Sequence, residues 1–157
     1  MNHVFKSYTN LKPINLIQYI LDYVQKYPDV SIHIGTDSQN IGIETVYVTT
    51  VVLRLGSRGG HVLYSRVKMP IIKDFWTKLW KEVELSVEVA QFITHNTPLK
   101  IHSIDLDYNS DEFEDSYKLV AASKGWVTSL GFKATVKPEE QIASKASDHI
   151  IRADFQK

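Results

Sequence analysis

A chain of 157 residues, 43% hydrophobic and 23% charged, has the size and composition of one ordinary globular domain and is long enough to bury a sizeable core. Without cysteine it has neither disulfides nor thiolate metal sites. Its 18 basic and 18 acidic residues balance to a formal charge of zero, which excludes the basic excess typical of a strong nucleic-acid binder.

The first predicted element is a helix within residues 11–27, "LKPINLIQYILDYVQKY", with Pro13 in its first turn and Pro28 ending it. Its apolar positions Ile14, Ile17, Leu21 and Val24 recur at three- and four-residue spacing. "VSIHIGTD" follows as a strand ending at Asp37, with Val30, Ile32 and Ile34 alternating against Ser31 and His33. "TVYVTTVVLRL" is rich in β-branched residues, "GSRGG" is a loop signal, and "HVLYSRVKM" completes an expected antiparallel meander.

From Lys73 the period becomes helical and ends near Asn96 and Pro98. A fourth strand, "LKIHSIDLDY", leads to a helix closed by Gly131. "FKATV" is the fifth strand, and Pro138 opens the last helix. The order α–β–β–β–α–β–α–β–α predicts one mixed-sheet α/β domain over 1–157, with its core in 30–152. The N-terminal segment lacks the apolar stretch of a signal peptide and no run reaches membrane-spanning length, so a cytoplasmic location is expected.

Carboxylates gather at the ends of these elements. Asp37 ends the first strand, and Asp105 and Asp107 share one face of the fourth. On the long helix, Glu82 falls in the stripe of Leu79, Ser86, Val89, Ala90 and Ile93, whereas Glu84 falls with Glu88 and Gln91 on a solvent face. Asp148 lies half-buried on the last helix beside Ala143, Ser144, Ala146, Ile151 and Arg152. With the first and fourth strands parallel neighbours, Asp37 and Asp107 would end at one sheet edge, where α/β sheets bind ligands. Carboxylates brought together there would repel one another unless they held a hard cation such as Mg²⁺ or Mn²⁺. Two such ions can activate a water and stabilise a leaving oxygen in phosphodiester cleavage.

Each residue also has a plainer role open to it. Asp37 suits a turn, Glu82 a pair with Lys78, Asp105 and Asp107 an edge or turn pair, and Asp148 a bridge to Arg152. His149 as a proton shuttle and Lys137 as a phosphate contact compete with ordinary surface roles. Trp76, Trp80 and Trp126 could stack bases, but the helical spacing of the first two favours core packing. No Walker loop, Rossmann glycine pattern or nucleophile elbow is present.

The element order resembles the ribonuclease H-like superfamily, and "GTDSQ" resembles the first-strand Asp motif of those enzymes. "DLDYN", "GWVTSLGF" and "KPEEQIASKASD" resemble, in that order, the later motifs of the YkuK-type family of predicted ribonuclease H-related nucleases; the likeness runs from Ser31 to Arg152. It implies a ribonuclease H-like mixed five-stranded sheet flanked by helices, with the first helix as an N-terminal addition. Metal ligands are implied at Asp37, Glu82, Asp107 and Asp148. The family pattern carries His near the position of Asp105, so Asp105 is an added ligand or the alternative to Asp107. The implied activity is Mg²⁺- or Mn²⁺-dependent hydrolysis of RNA, an RNA–DNA hybrid or branched DNA. The rival expectation is a ribonuclease H-like binding or scaffold module without catalysis. An actin-like phosphate-binding fold also begins with an Asp after a strand, but its second half would not fit in this length.

Overall fold

The computed structural model describes residues 3–106, 114–136 and 142–155. Asp107, Lys137 and the predicted helix start at Pro138 lie outside the described residues.

Eleven elements follow in chain order: β1 (Phe5–Ser7), β2 (Pro13–Ile14), α1 (Leu16–Lys26), β3 (Ser31–Ile41), β4 (Glu44–Arg54), β5 (Gly60–Pro70), α2 (Phe75–Asn96), β6 (Ser103–Leu106), α3 (Glu114–Ser129), β7 (Ala134–Val136) and α4 (Ile142–Phe155). They build a seven-stranded sheet in the order β2-β1-β5-β4-β3-β6-β7. The expected meander is present as three long antiparallel strands, and β6 and β7 add in parallel.

The sheet therefore has two strands more than the five expected. β1 pairs antiparallel with β5, and β2 with β1, which extends the meander edge. Pro13 belongs to β2 instead of opening the first helix. It has no amide hydrogen to donate, and the outermost strand is where that loss is tolerated. Helix α1 starts three residues later, where the Asn15 side chain accepts the Gln18 amide.

β3 also runs four residues past the expected end at Asp37. Ile41 pairs with Glu44 across a two-residue turn, in which Gly42 takes a φ of 62° that a side chain would disfavour. Asp37 thus sits within the hairpin, opposite Val48.

Alternation divides β3 between two layers. Ile32, Ile34, Thr36 and Ser38 face α2, whose Leu79, Val83, Ala90 and Ile93 join Ile34 and Ile104 in the main core. Each such side chain contributes about 1.5–3 kcal/mol when removed from water, alanine less. Ser31, His33, Gly35 and Asp37 face the other way, toward the layer of α4. Gly35 presents no side chain there, and the Ser147 hydroxyl donates to its carbonyl at 3.1 Å. Thr50, opposite Gly35, donates to the Ala143 carbonyl at 2.8 Å. These contacts seat α4 closely against β3 and β4.

Candidate active site at the rim of β3

The expected burial of Glu82 is borne out. It lies 6% exposed in a stripe with Leu79, Ser86, Val89, Ala90 and Ile93, all of them buried. Helix α2 runs antiparallel to β3, so successive turns meet alternate strand residues. The Ser86 hydroxyl bonds Thr36 at 2.8 Å, and the Ser38 hydroxyl donates to Glu82 Oε1 at 2.5 Å. A buried carboxylate needs such a partner, because desolvation without one costs several kcal/mol. Beside it Tyr47 is wholly buried and donates to the Lys78 carbonyl at 3.2 Å. Burial first, and then the charges of Glu82 and Glu84, push the Tyr47 phenol far above its ordinary value.

Asp37 precedes Ser38 and is half-buried, with its Oδ1 accepting the Ser38 amide at 2.9 Å. Because side chains alternate, Asp37 and Ser38 point to opposite faces of β3. Asp37 and Glu82 consequently approach the strand from different layers and share only its rim. Along that rim the described parallel pairing with β6 runs as far as Gly35 with Asp105, and the described part of β6 reaches Leu106. The expectation that the first and fourth strands are parallel neighbours holds, and Asp107 itself lies outside the described residues.

Asp105 has a different setting. It is 2% exposed and faces the α4 layer beside Gly35. Its Oδ1 accepts the Thr135 hydroxyl at 2.6 Å and the Ser103 hydroxyl at 3.2 Å, and its Oδ2 accepts the Ala143 amide at 2.7 Å. The last bond places a carboxylate at the N-terminal turn of α4, where the helix dipole stabilises negative charge. The network continues through Ser103 to His33 Nδ1 at 2.7 Å, while His33 Nε2 meets Ser31 at 2.9 Å. With the Ser103 hydrogen directed at Asp105, His33 donates from Nδ1, and in its neutral form accepts from Ser31 at Nε2.

Asp148 is half-buried, as its helical position suggested, and its Oδ1 accepts from Arg152 Nε at 2.9 Å. Ala143, Ser147, Ile150 and Ile151 turn toward the sheet. His149 lies on the flank nearest β1, its ring edge-on to Tyr8 at 6.2 Å. At about 100° per residue Asp148 is turned away from His149 around the helix. Among the described residues, no three His, Asp or Glu side chains converge closely enough to hold a metal ion.

Three participants were absent from the candidates read from the sequence. Ser38 links Glu82 to the Asp37 position, and strict alternation after Thr36 would have pointed it at α2. Thr135 and Ala143, which fix Asp105, come from 30 and 38 residues further along the chain and left no local signal.

A family model described as ribonuclease H-like matches residues 15–152. The chain belongs to the ribonuclease H-like family. That agrees with the likeness carried by the sequence motifs and with the mixed sheet and its flanking helices. No curated protein matches the sequence. Among solved structures, the chain is similar to RNase H1 from the halophilic archaeon Halobacterium salinarum NRC-1, at 16% identity and a TM-score of 0.40, over 69% of this chain and 86% of that one. Among the described residues of this ribonuclease H-like chain, no helix is long and apolar enough to cross a membrane.

Proposed function

We propose that this ribonuclease H-like protein is a metal-dependent nuclease that hydrolyses phosphodiester bonds in RNA, an RNA–DNA hybrid or branched DNA. The observation that supports this reading is that the Ser38 hydroxyl holds the Glu82 carboxylate at the residue next to Asp37, on the strand that pairs in parallel with β6. These side chains offer hard oxygen donors of the kind that suit Mg²⁺ or Mn²⁺. Asp37, Glu82 and Asp107 would hold the ion or ions, with Asp148 completing the set from the flank of α4. The reading requires Asp107, since the described carboxylates do not form a three-residue cluster by themselves.

When bound, the divalent ions would supply Lewis-acid stabilisation of the phosphoryl charge and lower the pKa of a water. The chain's own contribution is to fix the donors. Ser38 orients Glu82, the Ser38 amide orients Asp37, and α2 holds Glu82 in a water-poor setting where charge interactions are strong. Asp105 serves this site as a scaffold: with its bonds to Ser103, Thr135 and Ala143 it ties β6 and β7 to the start of α4, which carries Asp148.

The test is cleavage of labelled RNA, hybrid and branched DNA with Mg²⁺ or Mn²⁺, comparing the parent with Glu82→Gln. The expected result is a loss of at least about a hundredfold in rate with the fold retained, on the scale of removing one transition-state electrostatic group. Cleavage that survives the substitution would overturn the assignment. The Asp148–Arg152 ion pair favours a second reading, a binding module without catalysis. Nucleic-acid binding with no cleavage under any metal would support that module instead.

A further inference from the structure

Successive turns of α2 are bonded to the β3–β4 hairpin. Tyr47 on β4 donates to the Lys78 carbonyl at 3.2 Å, Ser38 on β3 donates to the Glu82 carboxylate, and Thr36 meets the Ser86 hydroxyl at 2.8 Å. Ser38 and Tyr47 are direct cross-strand partners, so the first two bonds spring from one level of the hairpin. Within an α-helix the Lys78 carbonyl is also the acceptor for the amide of Glu82. The Tyr47 hydroxyl therefore bonds the same peptide oxygen to which the backbone of Glu82 is tied.

We infer that Tyr47 is a positioning residue for Glu82, fixing where along the rim of β3 the carboxylate stands; the inference rests on the metal-site reading above. Apolar packing does not fix that place, because the hydrophobic effect is non-directional and a small slide of α2 along the sheet changes the buried area little. Directional bonds do fix it. Ser38 holds the end of a flexible side chain, and Tyr47 holds the backbone from which that chain starts. A metal donor has to be kept within about 0.5 Å of its productive place. Losing a group that orients a ligand typically costs about 10–100-fold in metal affinity or activity.

The test is calorimetric titration of Mn²⁺, and RNA, hybrid and branched-DNA cleavage at varied Mn²⁺, in the parent, Tyr47→Phe and Thr49→Val. Tyr47→Phe keeps the buried ring and loses the donor to Lys78. Thr49→Val removes another buried hydroxyl bond of β4, one made to Thr36 at 2.9 Å within the hairpin instead of to α2. Both should lower the urea midpoint to a similar extent. Tyr47→Phe should weaken Mn²⁺ binding about tenfold and raise the Mn²⁺ needed for half-maximal cleavage by the same factor. Its rate at saturating Mn²⁺ should stay within about threefold of the parent, and Thr49→Val should bind Mn²⁺ within about twofold of it. Unchanged Mn²⁺ affinity in Tyr47→Phe, or equal weakening in both variants, would overturn the role and leave the nuclease reading intact. A parent that neither binds Mn²⁺ nor cleaves would overturn both. Should Tyr47→Phe not fold, amide exchange in the metal-free parent decides. A Glu82 amide as protected as that of Ala90 supports the role, and exchange as fast as at Trp76 in the first turn overturns it.

Discussion

Asp105 and Glu82 are both almost fully buried carboxylates, set on opposite faces of the same sheet, yet their surroundings differ in kind. Asp105 accepts two hydroxyls and a backbone amide from β6, β7 and α4, all of them parts of the scaffold. Glu82 takes the hydroxyl of Ser38 at the rim of β3, next to another carboxylate and beside the end of a parallel strand. Burial alone does not mark a functional acid. What separates the two is where their donors lie: across β6, β7 and α4 for Asp105, and at the rim of β3 beside Asp37 for Glu82.

The largest effect that would break this contrast is on stability. Asp105→Ala leaves a backbone amide and two hydroxyls buried without their acceptor, at about 1–3 kcal/mol for each unsatisfied group before relaxation. We expect a loss of about 3 kcal/mol or more in urea denaturation, whereas Glu82→Gln, which keeps the shape and an acceptor for Ser38, should cost about 1 kcal/mol. Equal losses would erase the distinction between scaffold and site.

The legibility of the two residues in the sequence follows the same division. The stripe of α2 was readable because a 22-residue helix displays its period many times, and that stripe singled out Glu82 over Glu84. The meander was readable because each of its strands runs eleven residues. β1 and β2, of three and two residues, are too short to show a period and exist through pairing with β5 and with each other. Pro13 consequently read as a helix start. The donors to Asp105 come from β7 and α4 as well as β6, so its spacing from Asp107 could only present it as an added ligand or as the alternative.

A smaller effect tests the electrostatics on the Glu82 side. The Tyr47 phenol is held protonated by burial and by the charges of Glu82 and Glu84, so its folded value lies above the unfolded value of about 10. Its contribution to stability is then complete below about pH 10 and is lost as pH rises from there toward the folded value. The slope should approach about 1.4 kcal/mol per pH unit in that window. Denaturation from pH 8 to 11 should show this fall in the parent and lack the tyrosine component in Tyr47→Phe. An identical profile in both would contradict the raised Tyr47 phenol.

The smallest expected change concerns the Asp148–Arg152 pair, whose arginine side chain is 75% exposed. Pairs of this kind at i and i+4 contribute only a few tenths of a kcal/mol. Arg152→Ala should therefore change stability by less than about 0.5 kcal/mol. A loss several times larger in chemical denaturation would make the bridge a structural element of α4 and weaken the case for Asp148 as a ligand.

We propose that Asp37 belongs to a metal site and that Asp105, a carboxylate on the same face of the sheet, does not. Calorimetric titration of Mn²⁺ into the parent, Asp37→Asn and Asp105→Asn tests it most directly, with the fold of each variant checked by circular dichroism. We expect binding in the micromolar to millimolar range that collapses in Asp37→Asn and persists in Asp105→Asn. Binding that persists in Asp37→Asn and disappears in a folded Asp105→Asn would contradict it.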